Sequence, residues 1–431
     1  LITLDDARPA VPASLPLGKA KPLGIKILEA LLFICILSSF LTTIQPAPYE
    51  FLVTLLAIAC LFARLPVDCK VMPLVFMLLV FEIGGFLSLM QVLEFQDGIK
   101  FMMISTYLGL SGMILAVVFS SDCERRYRIM RAGYILAATI AALLGIAGYF
   151  KAFPGAEVFM MNNRAVSTFK DPNIFGPFLI MPLLMIGERF LAGEFKLRYV
   201  IAGFIILFGL LLAFSRGAWG HFTVSATTMI LLLLVTRATH AARRRIVLSS
   251  IVAVAAVAVL VTILVSIEEV RQMFLQRATL LQSYDTGTEG SRFNIQQRSI
   301  EEMLDHWNGM GPWVFAVQYG LVSHNSYLGT MLNHGWLGGS MYLAMVLTTL
   351  VIGFRAALTR APWQDFLIVA VATYLGLCLE SAIVDTDHWR HYYLLLGVIW
   401  GMSAATANYV RQQQKTERLS FPDRPMAQVA Y

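Results

Sequence analysis

Charge is scarce in this chain. Only 14% of its 431 residues are Asp, Glu, Lys or Arg, while 58% are hydrophobic, and the mean hydropathy is +0.69. A soluble domain of this length could not hide so much apolar surface; a bilayer can. Cysteine is scarce too, at five residues. Cys35, Cys60 and Cys378 fall inside apolar runs. Cys69 and Cys123 fall in short segments on the side assigned below to the cytoplasm, so no disulfide framework is implied. There is no P-loop, no Gly-rich dinucleotide fingerprint, and no Ser-x-x-Lys or His-Glu-x-x-His motif, so soluble nucleotide chemistry is not indicated. Internal repeats of the kind many secondary transporters carry are also missing. The net charge of +6 is modest, and in so apolar a chain it marks cytoplasmic loops rather than nucleic-acid binding.

What is present is a series of apolar runs of roughly 18–22 residues, the length that crosses about 30 Å of hydrocarbon. They place spans at 25–44, 50–64, 71–90, 99–119, 132–150, 174–193, 197–214, 217–236, 246–266, 326–354, 363–384 and 391–409. Each must be helical, because backbone groups in lipid have to be satisfied within the segment. The expected fold is therefore an all-α integral membrane protein with about twelve transmembrane helices. Residues 1–24 form a tail, 25–266 carry spans one to nine, 267–325 form a long loop, 326–409 carry spans ten to twelve, and 410–431 form a second tail. Lys19, Lys21 and Lys26 precede the first run, Ile27–Ile44, which is long for a signal peptide and reads as an uncleaved span.

Basic residues set the orientation. Arg125, Arg126, Arg128 and Arg131 share one short segment, and Arg237, Arg243, Arg244 and Arg245 another. Arg355 and Arg360 flank a third, and Arg411, Lys415, Arg418 and Arg424 lie in the tail. With this span count all of them fall on one side with both termini. That side reads as the cytoplasm.

The opposite side holds the unusual polar segments. In the loop 267–325, Val270, Met273, Phe274 and Leu281 recur at helical spacing, as do Phe293, Ile300, Leu304 and Trp307. They predict two amphipathic helices lying against the membrane face. Arg216 sits between two apolar runs, and its planar fork suits phosphate, although an interfacial anchor is the plainer reading. Arg292 follows Gly287, Gly290 and Ser291 at the expected start of a loop helix. His324 precedes a long span, beside Ser323 and Asn325, either of which can cap it. A histidine there is suited to taking a proton from a hydroxyl, next to a helix end that favours anions. Asp171, Pro172 and Asn173 form an ordinary helix start, with Arg164 and Lys170 nearby to add positive potential. Asp385, Asp387, His388 and His391 fit no dedicated metal spacing and read as a polar turn, or as groups that orient an acceptor sugar.

Taken in order, VSTFKDPNIFGPFL, FSRGAW, the SRF segment running to MGPWVF, and SHNSYLGTMLNHGWLGG resemble the bacterial O-antigen ligase and polysaccharide polymerase superfamily. The matching region covers residues 160–350. The resemblance implies a GT-C-type membrane glycosyltransferase of the bacterial inner membrane, with a large helical periplasmic loop between spans nine and ten. It implies a glycan donor on undecaprenyl diphosphate, an acceptor glycan or lipid A-core, membrane lipids around it, and a flippase and chain-length regulator as partners. Neither metal nor cofactor is implied. Carried over by motif, Arg216 and Arg292 bind the donor diphosphate, His324 is catalytic and Asn325 supports it. The sequence departs in having Ser323 where relatives often have Pro or Ala, and Met310-Gly311-Pro312 where they often run Gly-x-Gly. The DPN-containing stretch leans towards a polymerase rather than a ligase. The expectation of another class is a transporter or lipid-linked glycan flippase, which needs ionisable residues deep in the spans. Glu82 is the clearest of these.

Overall fold

The computed structural model describes residues 22–43, 47–92, 95–278 and 291–420. Lys19, Lys21, Leu281, Gly287, Gly290 and Arg424 lie outside the described residues. Fifteen α-helices run through them: α1 (Leu23–Ser38), α2 (Pro48–Phe62), α3 (Met72–Leu89), α4 (Phe95–Phe119), α5 (Cys123–Tyr149), α6 (Pro172–Leu191), α7 (Leu197–Leu212), α8 (Arg216–Thr236), α9 (His240–Val265), α10 (Glu268–Ala278), α11 (Arg292–Asp305), α12 (Val314–Tyr319), α13 (Ser326–Leu358), α14 (Gln364–Glu380) and α15 (Arg390–Ser420). A two-residue hairpin pairs Met160 with Ala165 and Met161 with Arg164.

Every apolar run coincides with a helix. Among the described residues, eight helices are long and apolar enough to cross a membrane. The helices α1, α2, α7 and α14 have 16, 15, 16 and 17 residues, and at about 1.5 Å per residue each falls short of a full hydrocarbon core. Burial separates the helices sharply. In α6 and α15, 78% and 72% of the apolar window is covered by protein, while in α9 the figure is 11% at a hydropathy of 2.8. A helix that is apolar all round and almost uncovered requires an apolar solvent. The chain is an all-α, multi-pass membrane protein.

The helix ends sort by chemistry. At one end Arg125 of α5 donates two hydrogen bonds to Glu29 of α1, at 2.7 and 2.8 Å, and Arg237 at the end of α8 meets Asp365 at the start of α14 at 2.7 Å. This is the basic end. Arg125, Arg126, Arg128 and Arg131 lie on the first turns of α5, and Arg243–Arg245 on the first two turns of α9, rather than in loops. The helices simply continue past the apolar stretch. At the other end Arg390 of α15 pairs with Glu50 of α2 at 2.7 Å, and the starts of α6, α8 and α13 gather there.

Two expectations need correction. The apolar stripe of α10 packs on the chain itself rather than being left uncovered. Val270 is fully buried, and Phe274 stacks on Trp219 at 5.0 Å and meets Phe214 at 5.6 Å. It clasps the α7–α8 turn, where aromatic contact is worth more than lipid contact. On α11 the stripe does turn outward, with Ile300 44% and Leu304 62% exposed and Trp307, just past the helix, 77% exposed, while Ile295 and Ser299 face in. The tenth span is not one continuous helix either. The α13 axis breaks at Gly335 (φ 65°, ψ −178°). The segment after α11 supplies the backbone groups freed by the break: the Leu332 carbonyl accepts from Met310 N–H at 2.9 Å, and Trp336 N–H donates to the Trp307 carbonyl at 2.9 Å. Membrane helices tolerate such breaks only where neighbours satisfy them.

This junction depends on a bare backbone at Gly309. Its φ is +79°, and a Cβ there would lie 2.5 Å from Ser88 Oγ and 2.7 Å from Gly335 N. Gly320 has a similar φ of +74° with nothing within 4 Å. Gly309→Ala is expected to destabilise the protein by about 2–4 kcal/mol, combining backbone strain and overlap. Gly320→Ala carries only the strain, about 1 kcal/mol. Thermal unfolding in detergent checks the difference; equal losses would show that the Gly309 junction is not tight.

Candidate functional site

The α13 N-terminus is built by its own cap. Asn325 Oδ1 accepts from Tyr327 N–H at 3.0 Å and Leu328 N–H at 3.2 Å, a cap worth about 1 kcal/mol. Its side-chain oxygen is therefore engaged with the helix start. Behind it, Ser326 N–H donates to the Ser381 carbonyl at 2.8 Å. Ser326 Oγ lies 3.1 Å from Thr386 Oγ1 and accepts from Thr386 N–H at 2.6 Å. The turn after α14 is thus stitched to the start of α13, and it carries Asp385 with it.

His324 sits in the left-handed region at φ 49°, an uncommon conformation for a residue other than glycine. Its Nδ1 lies 3.7 Å from Asp385 Oδ2, with each side chain about one-third exposed (36% and 33%). Burial and the nearby Arg292 guanidinium hold His324 below its ordinary pKa, and Asp171 opposes them. The starts of α6, α11 and α13 therefore share one electrostatic neighbourhood. Asp385 behaves oppositely: burial, and then the charge of Asp387, push it up to about 7, against hydrogen bonds from Asn325 N–H, Ser323 Oγ and the His324 backbone. At 3.7 Å the two side chains are neighbours rather than hydrogen-bonded partners, and the Asp385 carboxylate is held in place by Asn325 N–H at 3.1 Å.

Arg292 opens α11. One turn on, Gln296 donates to the His324 carbonyl at 3.3 Å and reaches the Ala382 carbonyl at 3.5 Å, which pins α11 to both sides of the site. Arg216 opens α8, whose cap Ser215 accepts from Ala218 N–H at 3.3 Å. Ser215 Oγ also donates to Asn173 Oδ1 at 2.8 Å, and Asp171 caps α6 through Asn173 N–H at 2.6 Å. Arg164 is a strut between these elements. Its Nη2 donates to Asn173 Oδ1 and its Nε to the Ala213 carbonyl, both at 2.9 Å. Lys170, next to Asp171, is exposed.

Sequence reasoning thus named Arg216, Arg292, His324 and Asn325 but missed three contributors. Asp385 stood in a segment read as a polar turn or as groups that orient an acceptor sugar, not as a neighbour of His324. Gln296 is one helical turn from Arg292 and lies on the same face. Asp171 was read as a helix start, which it is, and its charge also reaches His324.

The remaining polar residues of the Asp385–His391 segment turn inward. His388 Nδ1 lies 2.8 Å from Asp387 Oδ2, which draws the imidazole pKa up and the carboxyl pKa down against the effect of burial. The His388 ring packs on Phe101 at 4.2 Å, and His334 stacks on Phe81 at 4.0 Å. Below them Glu82 accepts from Ser105 and Thr106, each at 2.8 Å. No family model matches the chain, and no curated protein matches it.

Proposed function

We propose that this protein is a membrane glycosyltransferase that moves a glycan from an undecaprenyl-diphosphate carrier to a sugar hydroxyl. In this reading all twelve apolar helices cross the bilayer in a GT-C-type arrangement. The basic end with both termini is cytoplasmic, and the site faces the periplasm of a bacterial inner membrane. The observation that carries it is the gathering of Arg292, His324 and Asp385 around the α13 start, at the end opposite the arginine-rich one. The acceptor oxygen attacks the anomeric carbon, forming the new glycosidic bond. The bond to the diphosphate breaks and the lipid diphosphate departs with its electron pair. His324 takes the hydroxyl proton. Arg216 and Arg292 meet the charge that grows on the leaving group, and attack opposite that group inverts the anomeric centre.

The role favoured is polymerisation of an exopolysaccharide or O-antigen, with ligation to lipid A-core as the alternative within this class. Deleting the gene and resolving the cell's glycans on a gel separates them. A polymerase leaves single lipid-linked repeats and no long polymer. A ligase leaves long polymer that does not reach lipid A-core. Unchanged glycans sink both. The buried group Glu82, Asp387, His388 and His334, next to the broken α13, favours a second reading as a transporter of lipid-linked glycan. Proteoliposomes that translocate such a lipid without extending it would establish that reading instead.

A pH prediction follows from the charges. His324 acts as a base only when neutral, so transfer rises with pH through the His324 pKa, which lies below its usual 6.5. Arg292 is one cause of that lowering, so Arg292→Gln moves the pKa up. The acid limb of the kcat/KM profile then shifts to higher pH. A shift to lower pH, or none, would show that Arg292 does not act on His324.

A further inference from the structure

The buried pair His221 and Glu380 lies outside the residues that meet the donor and acceptor. Both side chains are fully buried, and His221 Nδ1 lies 2.8 Å from Glu380 Oε2. His221 Nε2 lies 2.9 Å from the Thr373 carbonyl, which only accepts, so Nε2 carries a hydrogen. The Nδ1–Oε2 contact then holds one further proton, on either partner. The pair is neutral overall in both cases, which limits the penalty of burying it.

Two glycines let α8 and α14 approach closely enough to enclose this pair. A Cβ at Gly376 would lie 2.4 Å from His221 Cδ2 and 2.2 Å from Ser225 Oγ, and a Cβ at Gly217 would lie 2.8 Å from Glu380 Oε1. Glu380 Oε1 is buried without a hydrogen bond and abuts the first turn of α8. Gly217 is therefore the contact point between the helix start that carries Arg216 and the end of α14. From Glu380 the chain enters the turn that is tied to Ser326 and places Asp385 beside His324.

We propose that His221 and Glu380 are positioning residues: acting through Gly217, they set the separation between the donor-binding Arg216 and the His324–Asp385 pair. This rests on the glycosyltransferase reading above. Side-chain bulk at residue 217 shifts the α8 start that carries Arg216 relative to the end of α14, and small displacements of reacting groups reduce rates by large factors.

The test is a mutant cycle in proteoliposomes supplied with lipid-linked repeat units, with thermal unfolding as a check on folding. Gly217→Ala is expected to lower kcat about tenfold or more with little change in acceptor KM. Adding Glu380→Asp, which withdraws the carboxylate by one methylene, restores much of that loss. Glu380→Gln keeps the length and can donate its amide N–H to Nδ1, so it loses less than Glu380→Ala. Gly217→Ala at the wild-type rate, or a double variant no better than the product of the two singles, overturns the inference and leaves the glycosyltransferase reading standing. If the wild-type protein transfers no glycan, that reading fails and the inference falls with it.

Discussion

Replacing His324 with alanine is expected to lower glycan transfer by about 10²–10⁴-fold, the usual contribution of a placed general base. The side chain is one-third exposed, and its removal leaves the Asn325 cap and the Ser326 network untouched, so membrane insertion and thermal stability stay near wild type. A second substitution separates chemistry from backbone strain. Asparagine tolerates the left-handed conformation better than most residues, so His324→Asn relieves strain at φ 49° but cannot take the proton. If the base is what matters, both variants are equally dead. If His324 serves only to hold an awkward turn, asparagine restores the rate and alanine does not. Transfer measured with purified lipid-linked repeats decides between the two, and full activity in His324→Ala would remove the proposed base altogether.

The parts of this architecture that the sequence announces are those that depend on local chemistry. Apolar runs mark the helices because backbone groups in lipid leave no other choice. Arginines cluster at one end because they resist transfer across the membrane. Asn325 and Asp171 cap α13 and α6 because their short oxygens reach the free N–H groups of the next turn. What could not be read locally is pairing across the chain. Asp385 reaches Asn325 N–H from 60 residues away, at 3.1 Å. Arg164 suits an anion by its type, yet its Nε and Nη2 are engaged with Ala213 and Asn173, and only the packed structure reveals that. The break at Gly335 was hidden for the same reason. His-Gly-Trp inside a long apolar run reads as helix until the Trp307–Gly311 segment is seen to satisfy the exposed backbone. The stripe on α10 was legible as amphipathic, but its partner was not, since lipid and the Phe214–Trp219 surface demand the same apolar spacing.

Arg216 provides the second large effect. If its guanidinium stabilises the leaving diphosphate, Arg216→Ala lowers kcat by roughly 10²–10³, the scale seen when one donor is removed from a charge-stabilising site. Arg216→Lys is informative because it keeps the charge and loses the planar fork. A partial return of activity in the lysine variant would mean that charge does much of the work. A loss as deep as that of alanine would mean that paired hydrogen bonds to two phosphate oxygens are needed. Arg298 serves as the control. It lies on α11 in an exposed pair with Glu301 at 3.7 Å, the kind of surface contact that contributes little, so Arg298→Ala should leave transfer unchanged. If Arg216 were an interfacial anchor instead, as its place between two apolar runs also permits, lysine and alanine would both transfer glycan at the wild-type rate and differ only in thermal stability. The depth of the alanine defect, set against the Arg298 control, therefore distinguishes a residue that holds the protein in the membrane from one that holds the leaving group.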